Sequence, residues 1–283
     1  MKPRSELFNW SRWCLLVSKH WDENRKRYLL ALLAIAGLLI VWFSFILVMD
    51  KYTPMNVIYQ YMTYFVGLYI TGSLYASTLF AELSSKRDGV GFLALPASQL
   101  EKLLCALLFG ILLFFVVYTI IFYAVDIPLV RIANRIIASS PRNYPNTTIR
   151  ILAMPVYNVF TGAYGPGFEK EMHLFLFAFF SVQSAFLLGS VYFTRYSFIR
   201  MVVVLAVGLL GIMTVQARVI LPLLPSGWYN GWTGWFSRDA AGNTDKLVAL
   251  PESAENAVIL LVQCAPPVLL WIVTWYRLKE KQV

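Results

Sequence analysis

The chain has 283 residues, of which 59% are hydrophobic and 14% charged, with a mean hydropathy of +0.63. A soluble domain carries about 25% charged residues, so this composition excludes an ordinary soluble enzyme and places the chain in the membrane class. The formal net charge of +9 flanks apolar runs and forms no basic patch interleaved with aromatic residues, which argues against nucleic acid as a partner.

Residues 1–27 form a first unit, expected to be cytoplasmic. Within it, Leu7, Trp10, Cys14, Val17 and Trp21 recur at spacings of three and four, while Glu6, Arg12 and Lys19 fall on the other side. This predicts an amphipathic elbow helix over 5–21 lying flat on the inner leaflet. Lys2 and Arg4 are not followed by an apolar core, so no cleavable signal is expected. Residues 28–283 are expected to hold six transmembrane helices, since about 20 apolar residues cross the hydrocarbon core. The predicted spans are Tyr28–Val48, Val57–Phe80, Leu103–Val125, Leu174–Phe193, Met201–Leu221 and Ala257–Tyr276.

The second span is the most polar. Gln60, Tyr64, Gly67, Thr71, Tyr75 and Thr78 fall on one face over about 27 Å, nearly the depth of the membrane core. Such a stripe is either a pathway or dimer seam, or a packing face of small and hydroxyl residues. In the 81–102 loop, Glu82 and Lys86 can extend the second span, and Asp88-Gly-Val-Gly91 signals a turn. Phe92, Leu93 and Leu95 then form an apolar patch too short to span, ended by Pro96. Ser98 and Glu101 have the spacing of a capping box, so a helix is predicted to start near Ser98. A short apolar patch between charged turns suits insertion into a partner's groove.

An outer loop of 124–173 follows the third span, with Leu129, Ile132, Ile136 and Ile137 opposite Arg131 and Arg135 as a short amphipathic helix. The fourth span carries a small-residue face of Ala178, Ser181, Ala185 and Gly189, with Gln183 as its strongly polar member. In a second outer loop, 222–256, Trp228, Trp232 and Trp235 follow at helical spacing and predict a short interfacial helix. Pro266-Pro267 is expected to kink the last span.

An even number of spans puts both termini on one side. The N-terminal segment, the 81–102 loop, the 194–200 loop and the C-terminus together hold 15 of the 24 Lys and Arg residues. This bias predicts cytoplasmic termini. Cys14, Cys105 and Cys264 fit neither a metal site nor a disulfide framework and read as small hydrophobes. There is no phosphate-binding loop, no carboxylate in the middle of a predicted span, no nucleophile elbow, and only His20 and His173 as histidines. No ATPase or hydrolase activity and no cofactor is therefore expected of this chain itself.

The elbow helix, the six spans, the 83–97 segment with its Gly-Phe-Leu-Ala-Leu-Pro-Ala-Ser-Gln-Leu-Glu-Lys run, and the interfacial segment at Trp228–Trp235 resemble the permease subunits of ABC-2-type transporters across nearly the whole length. The long loop between spans three and four departs from the compact members. The resemblance implies an all-α polytopic permease in a bacterial inner membrane. It also implies a second permease copy or paralogue as dimer partner, and a separate ABC ATPase that holds ATP and Mg. In that setting Arg87, Asp88, Phe92, Leu93 and Leu95 couple to the ATPase, and the stripe on span two lines the seam or the lateral path. The competing expectation is a non-transport polytopic scaffold or a sensory or assembly protein.

Overall fold

The computed structural model describes residues 8–49, 55–81, 89, 91, 94–139, 155–160, 165–193, 195–220, 227–229, 234–238, 244–249 and 251–281. Long helices dominate. They are α1 (Trp10–Met49), α2 (Val57–Thr78), α3 (Gln99–Leu107), α4 (Phe114–Ser139), α5 (Gly165–Tyr192), α6 (Ser197–Val215) and α7 (Glu252–Glu280). A π-helical turn, Leu108–Leu113, joins α3 to α4 without a break. A second one, Gln216–Ile220, extends α6.

Among the described residues, five helical stretches are long and apolar enough to cross a membrane: Trp10–Met49, Gln99–Ile137, Leu174–Tyr192, Ser197–Val219 and Ala257–Glu280. This is a helical membrane protein. The sixth long helix, α2, has 22 residues, about 33 Å of helix, but its tyrosines, threonines and glutamine lower its apolarity. It compensates by position. Tyr64, Leu68, Gly72 and Ala76 of α2 are buried, and the helix packs against α4 and α5 with the π turn and α6 alongside. By contrast α6 and α7 turn most of their apolar surface outward, as lipid-facing helices do.

Contacts define two ends of the bundle. At the near end, Phe80, Leu103, Leu187, Val191 and Leu278 form one apolar cluster, and Lys281 Nζ donates to the Val191 carbonyl at 2.5 Å. Asn9 meets Glu101 there as well. The described chain therefore begins and ends at this near end. At the far end, Leu39, Phe43, Met55, Tyr64, Phe122 and Phe179 belong to a larger cluster.

The structure corrects three sequence expectations. The elbow over 5–21 is not a separate helix, because α1 runs unbroken from Trp10 to Met49. It is nonetheless not aligned with the third span throughout. Arg12 meets Glu101 and Phe43 meets Phe122, a path about ten residues longer on α1, roughly 15 Å. The excess falls where His20 and Tyr28 both meet the Phe109 ring, at 4.6 and 6.0 Å between centroids. The near-end part of α1 thus lies obliquely over the bundle.

Second, the amphipathic stretch around Leu129–Ile137 is a continuation of α4, which runs through Pro128 to Ser139. Third, the segment expected as an interfacial helix at Trp228–Trp235 is a small antiparallel sheet: β1 (Gly227–Tyr229), β2 (Gly234–Arg238) and β3 (Thr244–Ala249), in the order β1-β2-β3. Trp228 pairs in register with Phe236, and Trp235 with Val248. Aromatic and β-branched residues favour strands, which overrides the helical spacing of the tryptophans. Trp232 lies outside the described residues.

Candidate functional site

The helix start predicted at Ser98 is present as a complete capping box. The Ser98 side chain accepts the Glu101 N–H at 3.1 Å, and Glu101 Oε2 accepts the Ser98 N–H at 2.8 Å. Sequence reasoning stopped at this local pair. In the fold, Glu101 Oε1 also accepts the Asn9 N–H at 2.7 Å and an Arg12 Nη2 hydrogen bond at 3.0 Å. Asn9 is itself the cap of α1, its Oδ1 accepting the Ser11 and Arg12 N–H groups at 3.0 and 3.4 Å.

One carboxylate therefore sits between the N-termini of α1 and α3. Both helix dipoles place partial positive charge there, which suits a fully buried Glu101. Arg12 supplies the remaining charge with its side chain 41% exposed, so its Coulomb share is small and screened. No such contact can be read from local spacing, because the partners are about 90 positions apart. The only local hint is that Asn9 and Ser98 are both good capping residues.

This node sits at the end of the 81–102 loop. Leu95 is half-buried and its carbonyl accepts the Ala97 N–H at 2.7 Å, which makes the tight turn that Pro96 favours before the cap. Arg87, Asp88, Phe92 and Leu93 lie outside the described residues. From the node, α1 reaches the second helix. His20 Nε2 and the Tyr28 hydroxyl are 2.6 Å apart, the Tyr28 and Tyr75 rings meet edge-on at 6.0 Å, and Tyr75 stacks on Phe114 at 5.5 Å. Phe114 begins α4 directly after the π turn. Gly110 within that turn lets Leu79 approach, since a Cβ there would lie 2.2 Å from Leu79 Cδ1.

The polar stripe on α2 is engaged within the same chain over most of its length. Gln60 is fully buried. Its Nε2 donates to the Met55 and Pro155 carbonyls at 2.8 and 3.1 Å, and its Oε1 accepts the Tyr157 N–H at 2.7 Å. Tyr64 shares a hydrogen bond with Thr119 at 2.9 Å, and its carbonyl accepts the Tyr118 hydroxyl at 3.0 Å. That hydroxyl lies over Gly67, where a Cβ would come within 2.3 Å of it. Thr71 Oγ1 donates to the Gly67 carbonyl at 2.6 Å, and Thr78 Oγ1 to the Tyr75 carbonyl at 2.8 Å. Thr78 alone of the six is exposed. Gln183 of α5 is fully buried against Gly72 of α2, with neither amide atom hydrogen-bonded.

The near end is closed by the end of α7 and Lys281 beyond it. Arg277 lies 4.7 Å from the Tyr192 ring centroid, and Lys281 caps the last turn of α5 through Val191, the end of a helix that favours a cation. No group of three or more metal-ligating side chains occurs among the described residues. Comparison with protein-family models, with curated proteins and with solved structures finds no match to this chain.

Proposed function

We propose that this chain is the membrane-spanning permease subunit of an ATP-driven ABC-2-type transporter, an exporter, with six spans and both termini in the cytoplasm of a bacterial inner membrane. In this reading α2 is the second span, and the near end of the bundle faces the cytoplasm, where the Lys and Arg bias would put it. A separate ATPase subunit supplies ATP and Mg and docks on the 81–102 loop through Arg87, Asp88, Phe92, Leu93 and Leu95. A second copy or a paralogue completes the transporter.

The observation that carries the reading is the Glu101 node. A loop that receives force must be fixed to what it moves. Here the loop's last residues are tied by one buried carboxylate to the starts of two helices, α1 and the third span. Displacing Ser98 displaces the start of α1 with it, and the Tyr28–Tyr75–Phe114 contacts carry that shift to α2 and the π turn. π turns inside helices are rare and occur frequently at functional sites.

The test is affinity purification of the solubilised chain from its native host, followed by mass spectrometry. A stoichiometric ATPase with a phosphate-binding loop is the expected companion. A preparation free of any ATPase would overturn the assignment and favour the scaffold reading.

A further inference from the structure

Three of the membrane-crossing stretches have an end at one place, the near end of the bundle. Leu174–Tyr192 stops there, Ser197–Val219 starts there, and Ala257–Glu280 stops there. This is the level of the lipid headgroups. Contacts tie the three ends together. Arg277 of α7 lies 4.7 Å from the Tyr192 ring centroid, and Arg200 of α6 lies 5.8 Å from that of Phe193. These two rings, at and just after the end of α5, are 5.6 Å apart. Lys279 stands 5.9 Å from the Trp275 ring, which packs on the cluster that holds Val191. Arg195 lies in the short connection between α5 and α6.

Two of the cations gathered here are matched within the chain. Lys281 donates to the Val191 carbonyl, and Arg277 pairs with Glu280. Arg195, Arg200 and Lys279 are exposed and, among the described residues, form no ion pair. The first turn of α6 starts here without a side-chain cap and adds partial positive charge. A general preference for cations on one membrane side explains their presence. It does not explain why three unmatched ones are gathered around the same helix ends, where they repel one another until an anion joins them.

The surface next to these cations is apolar. Ile199, Val202 and Val203 of α6 and Ile272, Val273 and Tyr276 of α7 are exposed, and both helices pack against α5. A free phosphate would use the cations alone, whereas a lipid uses the cations and the apolar faces beside them. We propose that the end of α5, the start of α6 and the end of α7 form a binding surface for an anionic phospholipid. Its phosphate is held by Arg195, Arg200 and Lys279, and its acyl chains lie along α6 and α7. The surface binds lipid whether or not the chain transports, so its test does not depend on an ATPase.

The full chain in a nonionic detergent is titrated with phosphatidylglycerol and with phosphatidylcholine of the same acyl chains, and bound lipid is counted by native mass spectrometry. Phosphatidylglycerol is expected to bind about tenfold tighter or more. Replacing Arg195, Arg200 and Lys279 together by serine should remove that preference and leave phosphatidylcholine binding unchanged. The control is the same loss of three charges at Arg25, Lys26 and Arg27, which are exposed on α1, a helix that does not pack against α5, α6 or α7. There the preference should persist within about twofold. Equal binding of the two lipids in wild type, or an equal loss of preference in both triple variants, overturns the proposal. Should the first triple variant fail to fold, Arg195→Ser alone, in the exposed connection, is expected to weaken phosphatidylglycerol several-fold, and an unchanged affinity there overturns it as well.

Discussion

Replacing Glu101 by alanine removes the acceptor of two backbone N–H groups, those of Ser98 and Asn9, and of the Arg12 guanidinium. Both N–H groups are part-buried, so each left unmatched costs about 1 kcal/mol, the low end of the range for a buried donor, and the lost cap about 1 kcal/mol more. Arg12 recovers part of its share from water because its side chain is 41% exposed. The expected loss is therefore about 2–4 kcal/mol in total, or a fall in Tm on the order of 5–15 °C. Arg12→Ala leaves both backbone bonds in place and should cost about 1 kcal/mol or less. The assay is thermal unfolding of the purified chain in detergent, followed by circular dichroism, for Arg12→Ala, Glu101→Ala and the double variant. The node requires a coupling energy of at least about 0.5 kcal/mol between the two sites. Strict additivity, or a Glu101→Ala Tm equal to that of wild type, would refute the reasoning.

Three further outcomes are expected. Gly72→Ala puts a methyl 1.9 Å from Gln183 Nε2 and 3.0 Å from both Phe114 and Phe179, so it should destabilise by about 1–3 kcal/mol. In the same thermal assay, adding Gln183→Ala should restore part of that loss and not all, because the two rings remain. Phe92→Asp should abolish co-purification of the ATPase while leaving the amount of inserted chain unchanged, as read by membrane fractionation. Lys281→Met removes the cation that caps Val191 and should lower Tm by a few degrees, corresponding to about 1 kcal/mol.

Much of the helical layout was legible in the sequence, for physical reasons that differ by element. The apolar runs of α1, α5, α6 and α7 declare themselves because lipid tolerates no other composition. The start of α3 was legible because a capping box is local, with Ser98 and Glu101 three residues apart. The other half of Glu101's role was not, since Asn9 and Arg12 reach it only through the tertiary fold. The predicted third span stops at Val125, because a carboxylate, Asp126, and Pro128 interrupt the apolar run there. The helix continues through both because Val130 and Ala133 beyond them are buried in the far-end cluster. The tryptophans before the last span misled because spacings of four and three suit a helix, whereas the segment's content of aromatic and β-branched residues decides for strands. The stripe on α2 was legible as polar, but its engagement by Thr119, Tyr118 and Tyr157 depends on neighbours that periodicity does not name.

The account rests on the 81–102 loop as the place where another subunit docks. A photoreactive residue at position 92, activated in native membranes and followed by mass spectrometry of the adduct, tests this most directly. The account predicts an adduct with an ATPase that carries a phosphate-binding loop, and none from a probe placed at Phe160, next to Val159 of the far-end cluster. An adduct with some other class of protein at position 92, or the same ATPase captured equally from position 160, would contradict it.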